Sequence, residues 1–439
     1  MTYAEALARL LALRGGEHAG MRPGLERIEA LLDALGRPER AYTIAQIGGT
    51  NGKGSVASML AAILRAQGRR VGLYTSPHLV SFRERIRVDG AAISEDALAD
   101  GVEALGTLIA RLDASVFEAT TALALDHFAR EAVDVAVLEV GLGGRYDSTT
   151  VGAPAVSVLT SIDLDHQEYL GHTVGEIATD KSYILRSGTA IAAAQAPEVA
   201  AILDRRAAAV GVPLLAEGRE LHVSLRARSL DGQRVDVAGP GWRYDDVGIG
   251  LLGTYQPGNT LLAVAAAHAL GAEEPAIRGG LARARWPGRF EVRRRAGGGW
   301  LVLDGAHNPA GARALAQSLA AYFGDAPTTF VLGVLRDKDA AGILAPLVGR
   351  ARRLVLTSSR NPRAAAPAEL EKLAPPALPV VVAPSIREAL AIAEAEEGTP
   401  ILCVAGSLSL VGDALAEIGG NRDKPCPVEN AADSMGALS

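Results

Sequence analysis

The segment Gly48-Gly-Thr-Asn-Gly-Lys-Gly-Ser55 is a glycine-rich loop that lies between a strand pattern and a helix pattern. The preceding residues Thr43–Gly48 form an apolar β-type run, and the following residues Val56–Gln67 have helical spacing. Glycines let backbone N–H groups turn toward an anion, and a helix N-terminus favours negative charge. The Lys53 side chain can reach terminal phosphates from such a loop. The segment therefore predicts a phosphate-binding loop within a strand–loop–helix unit of an α/β fold.

The loop departs from the strict P-loop pattern at two positions. Ile47 stands where the first glycine of that pattern belongs, and Gly54 separates Lys53 from Ser55. The alternative interpretation is a glycine-rich turn with a surface lysine. Because a strand pattern precedes the loop and a helix pattern follows it, phosphate binding is the favoured interpretation.

The composition is that of a folded globular protein with more than one domain. The chain has 439 residues, about two to three times the length of an ordinary domain. Hydrophobic residues make up 49% and charged residues 21%, which excludes a mainly disordered chain. Aromatic residues supply only 4%, so the core has to be built from Ala, Leu, Val and Ile. The formal charge of −6 argues against a broad nucleic-acid surface but leaves room for a local basic pocket.

The number of cysteines and the length of the apolar runs argue against a disulfide-rich, a zinc-binding and a membrane-spanning protein. Cys403 and Cys426 are too few for a disulfide framework, and the sequence has no zinc-type cluster of Cys and His. The N-terminus lacks the pattern of an export signal. The longest apolar run, Leu261–Leu270, contains His268 and is far shorter than the ~20 residues of a membrane span. These features predict a cytoplasmic protein that binds neither a membrane nor nucleic acid.

Apolar β-type runs alternate with helical patterns from about Tyr42 onward, which is typical of a parallel sheet covered by helices. The strand candidates are Thr43–Gly48, Val71–Thr75, Val133–Val140, Ala155–Thr160, Trp300–Leu303, Thr329–Val334, Arg353–Thr357, Val380–Val382 and Ile401–Ala405. Helical patterns between them include Ser94–Leu112 and Ala312–Ala321. Residues Leu221–Gly253 instead form short alternating segments broken by turn dipeptides, which predict a small antiparallel insert.

A domain boundary is predicted near Arg285-Trp-Pro-Gly-Arg289, where a helical pattern ends. The hairpin-like residues Phe290–Trp300 then open a new βα series. We expect an N-terminal domain over residues 1–288, with a P-loop-type, mostly parallel sheet and the antiparallel insert. A smaller, Rossmann-like α/β domain is expected over 289–420. The polar residues 421–439 predict a disordered tail.

Polar side chains follow three of the predicted strands. In chain order they are Ser76 and His78, then Glu139, then Asp163, Asp165 and His166. In an open parallel sheet such strand ends share one crevice, where ligands bind. An acid, a hydroxyl and an imidazole beside a phosphate loop suit Mg²⁺, which binds few carboxylates together with phosphate oxygens. Taken singly, each of these side chains is more often a cap or a surface group.

Lys181 lies on the apolar face of a predicted helix. The helix begins at Thr173-Val-Gly-Glu176, which is a capping-box pattern. Its apolar stripe includes Ile177, and Lys181 follows that residue at i+4. A buried ammonium group is costly unless it is paired or chemically altered. The alternative is that the long side chain reaches the solvent.

The segment Leu303-Asp-Gly-Ala-His-Asn-Pro-Ala310 joins a strand to a helix in the second half of the chain. Asn308 is a natural N-cap with proline at the first helical position, so part of this motif is structural. Asp304 and His307 are not needed for capping, which leaves them to hold a polar ligand. Arg289 is placed to reach a phosphate in an interdomain cleft, and a surface salt bridge is its alternative role.

These motifs together resemble the folylpolyglutamate synthase/dihydrofolate synthase family, a branch of the Mur ligase superfamily. The resemblance covers roughly Tyr3 to Gly412. The matching segments are, in chain order, Arg22–Ile28, Leu31–Pro38, Gly49–Ser55, Ser76–Leu79, Glu84–Arg87, Phe117-Glu118, Glu139–Arg145, Asp165-His166, Lys181, Gln256, Asn259, Pro287–Arg289, Asp304–Pro309 and Asn361–Arg363. One motif could arise by chance, whereas this ordered series indicates membership.

The resemblance implies an ATP-dependent ligase of folate metabolism. In that family ATP phosphorylates a carboxylate on dihydropteroate or a reduced folate, and the amino group of L-glutamate attacks the acyl phosphate to form an amide. Positioning and offsetting of phosphoryl charge supply much of the catalysis in such reactions. The implied cofactors are ATP and Mg²⁺, the implied partners are small molecules, and the family suggests a monomer.

The resemblance also implies roles for individual residues. ATP contacts are implied for Gly49, Thr50, Asn51, Gly52, Lys53, Gly54, Ser55, Asn259, Arg289, Asp304 and His307. Magnesium ligands are implied at Ser76, Glu139, His166 and Lys181, with Lys181 carbamylated and therefore carboxylate-like. Substrate contacts are implied for Arg83, Phe117, Glu118 and Thr121, and catalytic roles for Lys53, His166, Lys181 and Arg289. A carbamylated lysine would also explain why Lys181 lies on an apolar helix face.

Two positions depart from the family pattern, and both concern the substrate side. The family's Asp-Ala-Thr-Asn is replaced by Asp147-Ser-Thr-Thr150, so that Thr150 stands in place of asparagine. Asp163 stands where the family often has an apolar or small residue.

Two rival functions are compatible with a phosphate loop on this fold. The first is a cell-wall Mur ligase acting on a UDP-MurNAc-peptide, against which Ser76–Leu79 and Phe117-Glu118 resemble the folate branch. The second is a nucleotide-binding module that couples ATP to a partner without ligation. It is disfavoured because the second domain carries its own ligand-binding motif, and ligands commonly lie between domains.

Overall fold

The structure is a computed structural model that describes residues 1–13, 23–395 and 398–419. The predicted disordered tail over 421–439 lies outside the described residues, as does Arg22 in the first family-like segment. Within the described part of the chain, no helix combines the length and the apolar character needed to cross a membrane.

Helices and strands alternate along most of the chain. The helices are α1 (Tyr3–Leu11), α2 (Glu26–Ala34), α3 (Lys53–Ala66), α4 (Glu95–Leu112), α5 (Val116–Arg130), α6 (Gln167–Leu170), α7 (Val174–Lys181), α8 (Pro197–Val210), α9 (Gln256–Ala269), α10 (Glu274–Arg283), α11 (Pro309–Phe323), α12 (Ala340–Val348), α13 (Pro367–Glu371), α14 (Ile386–Glu394) and α15 (Leu408–Ile418). The strands are β1 (Thr43–Gly48), β2 (Val71–Tyr74), β3 (Ile86–Val88), β4 (Ala91–Ala92), β5 (Val135–Glu139), β6 (Val156–Leu159), β7 (Thr189–Ala192), β8 (Leu214–Ala216), β9 (His222–Ser229), β10 (Gly232–Gly239), β11 (Trp242–Ile249), β12 (Glu291–Arg294), β13 (Trp300–Leu303), β14 (Thr328–Leu332), β15 (Ala351–Leu356), β16 (Val380–Val382) and β17 (Ile401–Ala405). Short 3-10 turns cover Pro38–Arg40, Phe82–Arg85 and Ser182–Ile184.

The described chain divides into two compact units. The first contains residues 1–77 and 83–286, and the second contains 78–82 and the residues from Pro287 onward. The second unit thus includes a short segment, His78–Phe82, that interrupts the first unit in sequence. Leu79 of this segment packs on the core of the second unit, which includes Val411.

An eight-stranded sheet in the order β4-β3-β2-β5-β1-β6-β7-β8 is the framework of the first unit. Its strands are parallel except for β3 and β4, which pair antiparallel at one edge. In β1, Ile47 lies opposite Glu139 of β5 on one side, and Gly48 lies opposite Leu159 of β6 on the other. The carboxyl ends of these three strands therefore meet at one edge, where the phosphate loop begins.

Helix α3 packs into the core of the first unit, and its burial anchors the phosphate loop. The helix is close to α10, where a Cβ atom on Gly280 would lie 2.4 Å from the Cα atom of Ile63. The same core includes Val235 and Val247 of the antiparallel strands β9, β10 and β11. The antiparallel insert that the sequence predicts is therefore confirmed, and it packs on the core that carries the loop.

The second unit is built on a six-stranded sheet in the order β12-β13-β17-β14-β15-β16. Only β12 runs antiparallel to its neighbour, β13, as the hairpin-like pattern predicts. Its core includes Leu303, Val331, Val355 and Val404 from four adjacent strands. The predicted α/β class, with a large mostly parallel sheet and a second, smaller α/β unit, is confirmed.

Candidate active site

The phosphate loop connects β1 to α3, as its sequence predicts. Gly48 is the last residue of β1, and Lys53 is the first residue of α3. The backbone N–H of Thr50 donates a hydrogen bond to the carbonyl oxygen of Ser161 at 2.7 Å. The Thr50 hydroxyl donates to the carbonyl oxygen of Asp163 at 3.1 Å. The segment after β6 therefore holds the first half of the loop in place.

Two loop positions require glycine. Gly49 has a φ of +129°, and a Cβ atom there would lie 2.0 Å from Oγ1 of Thr160. Gly52 has a φ of +97°, and a Cβ atom there would lie 2.6 Å from Oδ1 of Asn259. L-residues rarely adopt such φ values. Backbone conformation and lack of space thus both exclude side chains at these positions.

Replacing Gly49 by alanine should damage the loop more than its φ value alone explains. The unfavourable φ costs about 1–3 kcal/mol, and the added methyl group must also displace Thr160. We expect a lower thermal unfolding midpoint and a loss of ADP affinity in calorimetric titrations. Gly68→Ala is the matched control, because Gly68 has a φ of +86° with no atom within 4 Å of an added Cβ. Equal destabilisation of both variants with normal ADP binding would contradict this explanation.

Two lysine side chains converge on the phosphate loop. The Nζ atom of Lys53 donates to the carbonyl oxygens of Gly49 at 3.2 Å and Thr50 at 3.1 Å. The Nζ atom of Lys181 donates to the same Gly49 oxygen at 2.9 Å. Lys181 is only 4% exposed, and the predicted capping box at Thr173 begins its helix. The predicted inward orientation of Lys181 is confirmed, and the alternative of a side chain in solvent is wrong.

Burial, together with the nearby charge of Lys53, lowers the pKa of Lys181 to about 7. The carboxylates of Asp165, Asp180 and Asp147 act in the opposite direction but do not offset the loss of hydration. Near neutral pH a large share of Lys181 therefore carries a neutral amine. A neutral amine is nucleophilic, which a protonated lysine is not.

Glu139 lies at the same edge of the sheet as the loop. Its side chain is buried at the end of β5. One carboxylate oxygen accepts a hydrogen bond from the backbone N–H of Ser76 at 3.1 Å. The next residue, Val140, donates its N–H to the carbonyl oxygen of Ile47 at 2.9 Å, immediately before the loop. The structure thus brings together two of the polar strand ends that the sequence predicts.

The third strand end carries Asp165 and His166. The N–H of His166 donates to Oδ1 of Asp165 at 2.9 Å, and its Nε2 atom lies 4.0 Å from Oδ2. Asp165 is buried, whereas the His166 side chain is 37% exposed. Asp163 accepts the N–H of Leu164 at 2.8 Å with its own carboxylate, so its side chain stabilises a local turn.

A buried polar network supports the loop that follows Glu139. The Gln46 amide donates to the hydroxyls of Thr149 at 3.1 Å and Thr150 at 2.9 Å. The Thr150 hydroxyl donates to the carbonyl oxygen of Gly144 at 2.7 Å. The Arg186 guanidinium donates to the side-chain amide oxygen of Gln46 at 3.0 Å. Thr150, one of the departures from the family pattern, therefore has a structural role in this network.

Residues from the end of the first unit also reach the phosphate loop. Gln256 of α9 donates to the Ser55 hydroxyl at 3.3 Å, and Asn259 donates to Gln256 at 3.1 Å. The Trp286 indole lies against Gly54, where a Cβ atom would be 2.7 Å from its Nε1 atom. Sequence reasoning did not associate Trp286 with the loop, because no local pattern connects positions so far apart in the chain.

The surroundings of Phe117 and Arg83 are compatible with the substrate contacts that the family resemblance implies for them. The Phe117 ring lies over the loop after Glu139, since a Cβ atom on Gly141 would be 2.4 Å from the ring. Arg83 donates to the carbonyl oxygen of Ile93 at 3.1 Å, while its buried Nε atom has no hydrogen-bond partner among the described residues.

Glu118 and Thr121 have structural roles that the sequence did not reveal. The Glu118 carboxylate accepts from Nε of Arg27 at 2.7 Å and from the N–H of Ser115 at 2.7 Å, where it completes a capping box. Thr121 is 0% exposed, and its hydroxyl donates to the Tyr74 hydroxyl at 3.1 Å. These contacts help to position α5, the helix that carries Phe117, and the implied substrate roles of the two residues stay predictions.

In the second unit, Asp304 and His307 make intramolecular contacts that the sequence did not predict. The Asp304 carboxylate accepts the backbone N–H groups of Phe290 and Ala306, each at 2.8 Å. A ring nitrogen of His307 lies 2.8 Å from the carbonyl oxygen of Gly305. Asp304 therefore also organises the turn itself, and the ligand contacts expected of both side chains stay predictions.

The other residues of this motif are placed as the sequence predicts. Asn308 caps α11, accepting the N–H of Gly311 at 2.8 Å, with Pro309 at the first helical position. The Arg289 guanidinium lies over the turn, since a Cβ atom on Gly305 would be 2.3 Å from it. His78 belongs to this unit, not to the unit of Ser76.

The donor set of the first unit fits a magnesium ion that also binds phosphate oxygens. Among the described residues, no group of three His, Cys, Asp or Glu side chains is arranged to hold a metal ion by itself. Ser76, Glu139 and His166 supply a hydroxyl, a carboxylate and an imidazole. Mg²⁺ uses one or two carboxylates together with substrate phosphates and water. A carbamate on Lys181 would add the second carboxylate-like group beside the loop.

Comparison with known proteins identifies the class. The Mur ligase middle domain matches residues 47–267, and the Mur ligase, glutamate ligase domain matches residues 288–408. A crystal structure of Mycobacterium tuberculosis folylpolyglutamate synthase complexed with ADP and AMPPCP matches with a TM-score of 0.87 at 36% identity, covering 95% of this chain and 99% of that one. Escherichia coli FolC in complex with DHPP and ADP matches with a TM-score of 0.87 at 30% identity, covering 96% and 99%. The fold and the two matched domains are those of a Mur ligase.

Similar proteins with known names show which branch of the Mur ligases the chain belongs to. The dihydrofolate synthase/folylpolyglutamate synthase of Mycobacterium tuberculosis is 39% identical over 369 residues, which are 78% of this chain and 75% of that protein. The chain belongs to the folylpolyglutamate synthase/dihydrofolate synthase family and is a ligase. The rival cell-wall Mur ligase is not favoured, because the relatives at this level of identity are folate synthases.

Proposed function

We propose that this chain joins the carboxylate of dihydropteroate or a reduced folate to the amino group of L-glutamate at the expense of ATP, and that it acts as a monomer. The observation that carries the proposal is the convergence of Lys53 and Lys181 on the carbonyl oxygen of Gly49. Glu139 lies at the same sheet edge. A triphosphate bound by the loop would therefore end beside two lysine side chains and a carboxylate.

The reaction proceeds in two steps. A carboxylate oxygen of the folate attacks the γ-phosphorus of ATP, and the bond to the β-phosphate oxygen breaks to release ADP. The glutamate nitrogen then attacks the acyl carbon, inorganic phosphate leaves, and the nitrogen loses a proton. The N–H groups of the loop and Lys53 bind the phosphates and offset the charge that moves between oxygens. Alignment of the three reactants accounts for much of the acceleration.

Ser76, Glu139, His166 and carbamylated Lys181 would hold Mg²⁺ in this proposal. The ion supplies charge neutralisation to the phosphoryl group. Glu139 is held for this role by the N–H of Ser76. The Asp165 carboxylate accepts the backbone N–H of His166 and so fixes the turn that carries this residue.

Carbamylation of Lys181 is supported by its burial and by the direction of its pKa. The neutral amine attacks the carbon of CO₂: an N–C bond forms, one C=O π bond opens to give the carboxylate, and an N–H proton is lost to the solvent. The product is an anion, which the Lys53 ammonium attracts where it would repel an ammonium at Lys181. That attraction favours the modified form at this position.

Gly49, Thr50, Asn51, Gly52, Lys53, Gly54, Ser55 and Asn259 are the proposed ATP-binding residues of the first unit. Arg289, Asp304 and His307 are proposed to contact ATP as well. Arg83, Phe117, Glu118 and Thr121 are proposed to contact the folate.

The test is the dependence of ADP release on the acceptor and on L-glutamate. With ATP, Mg²⁺ and L-glutamate, we expect release only when dihydropteroate or tetrahydrofolate is present, together with an amide product detected by mass spectrometry. Omitting glutamate should abolish the amide. Release driven equally by a UDP-linked peptide, or release that needs no acceptor, would overturn the proposal in favour of one of its rivals.

A further inference from the structure

Arg145, Tyr183 and Arg206 form a cluster in the first unit, which we call the arginine–tyrosine platform. The guanidinium carbon of Arg145 lies 4.7 Å from the centre of the Tyr183 ring, and that of Arg206 lies 4.6 Å from it. Cations are attracted to an aromatic face at such distances. The ring therefore holds two like charges close together, an arrangement that Arg–Arg repulsion opposes.

The charges of the platform have no counter-ion among the described residues. Neither the Arg145 nor the Arg206 guanidinium has a carboxylate within 4 Å in the described part of the chain. The Nε atom of Arg206 is buried and has no hydrogen-bond partner there. Asp204, which lies two residues before Arg206 on α8, is paired with Arg219 at 2.9 Å. The platform therefore presents donors and positive charge that nothing in the described chain satisfies.

A third arginine strengthens the positive potential. The buried Nε atom of Arg186 also has no partner among the described residues. Burial and, secondarily, the charge of Arg206 lower the pKa of Arg186 to about 10. The terminal nitrogens of Arg186 already donate to Gln46, Val151 and Gly152, so the groups left for an anion are those of Arg145 and Arg206. Guanidinium groups suit planar anions, which they bind through two parallel hydrogen bonds.

The platform is anchored beside the proposed reaction site. Gly144, which precedes Arg145, packs so closely on α7 that a Cβ atom there would lie 2.7 Å from the carbonyl oxygen of Lys181. The N–H of Arg145 lies 3.4 Å from a carboxylate oxygen of Asp180. Tyr183 follows Lys181 by two residues. A chain that ends at the phosphate loop could therefore reach the platform along its length.

We propose that Arg145, Tyr183 and Arg206 bind the α-carboxylates of the γ-glutamyl tail on the folate substrate. The inference rests on the proposed function, because only a γ-linked tail carries one free α-carboxylate for each glutamate added. Dihydropteroate has no such group, and a monoglutamate has one. The platform thus selects for substrates that already carry a tail and favours further extension over the first addition.

The test compares tail lengths in the Arg206→Ala variant. We measure KM and kcat for tetrahydrofolate with one and with three γ-linked glutamates, and we expect the KM for the triglutamate to rise at least tenfold more than that for the monoglutamate. Arg205→Ala is the matched control, because Arg205 is exposed on the same helix next to Arg206. Arg206→Lys, which keeps the charge but loses the planar fork, should fall between wild type and Arg206→Ala.

Equal changes in KM for both tail lengths, or no change, would overturn the inference while wild-type ligation still supports the proposed function. If Arg206→Ala does not fold, Arg145→Ala on its exposed loop gives the same comparison. Should the wild type ligate no folate, the proposed function fails separately. Calorimetric titration with a tri-γ-glutamate peptide then tests whether the platform binds the tail. Loss of binding in the variant supports the proposal, and absence of binding to the wild type refutes it.

Discussion

Replacing Lys53 by alanine should reduce ligation by at least about 100-fold, which is the usual cost of removing one group that stabilises a transition state. The Nζ atom of Lys53 lies on the carbonyl oxygens of Gly49 and Thr50, at the end of the loop that is proposed to hold the phosphates. Without this side chain, the charge that develops on the transferred phosphoryl group loses its nearest cation. The measurement is the steady-state rate of ADP and amide formation with saturating folate and glutamate.

Lys372→Ala controls for the loss of a lysine as such, because Lys372 is exposed in the second unit. Thermal unfolding of both variants separates a catalytic loss from a folding defect, and calorimetric titration with ADP measures the contribution to nucleotide binding. A Lys53→Ala protein with near-normal turnover would refute the role of this residue in the phosphate loop.

The phosphate loop and the sheet that carries it could be predicted because their signals are local. Gly49 and Gly52 indicate a loop whose backbone leaves no room for side chains at these positions, and the flanking runs show strand and helix periodicity over a few residues. The inward orientation of Lys181 was also accessible, since helical periodicity alone places it on an apolar face. Such patterns involve only residues that are close together in the sequence.

The partners of individual side chains could not be predicted, because they come from distant parts of the chain. Nothing near Glu118 in the sequence indicates that Arg27, 91 residues away, binds its carboxylate. Gln46 did carry a signal, as a glutamine in an apolar strand, but its partner Arg186 lies 140 residues further on. No local pattern indicates which distant residue will form a hydrogen bond with a given polar side chain in the folded protein.

Lys181→Ala should lose ligase activity by at least about 100-fold, and short carboxylic acids such as acetate should restore part of it. The variant removes the group proposed to bind the metal ion and leaves a small space beside the Gly49 carbonyl. A carboxylate from solution can occupy that space and supply the missing oxygens. Lys181→Met, which fills the space with an apolar chain, is the matched control and should not respond to acetate.

The wild-type enzyme offers an independent test through its dependence on CO₂ and pH. The pKa of Lys181 is about 7, so the amine is mostly charged and unreactive below that pH and mostly neutral above it. Removal of dissolved CO₂ should therefore lower activity reversibly, and added bicarbonate should restore it more completely at pH 8 than at pH 6. A carbamate carbon should be seen by NMR with ¹³C-labelled bicarbonate in the wild type and be absent in Lys181→Ala. An alanine variant as active as wild type would show instead that the Lys181 ammonium serves only to hold the Gly49 carbonyl, because the loop would then work without any group at this position.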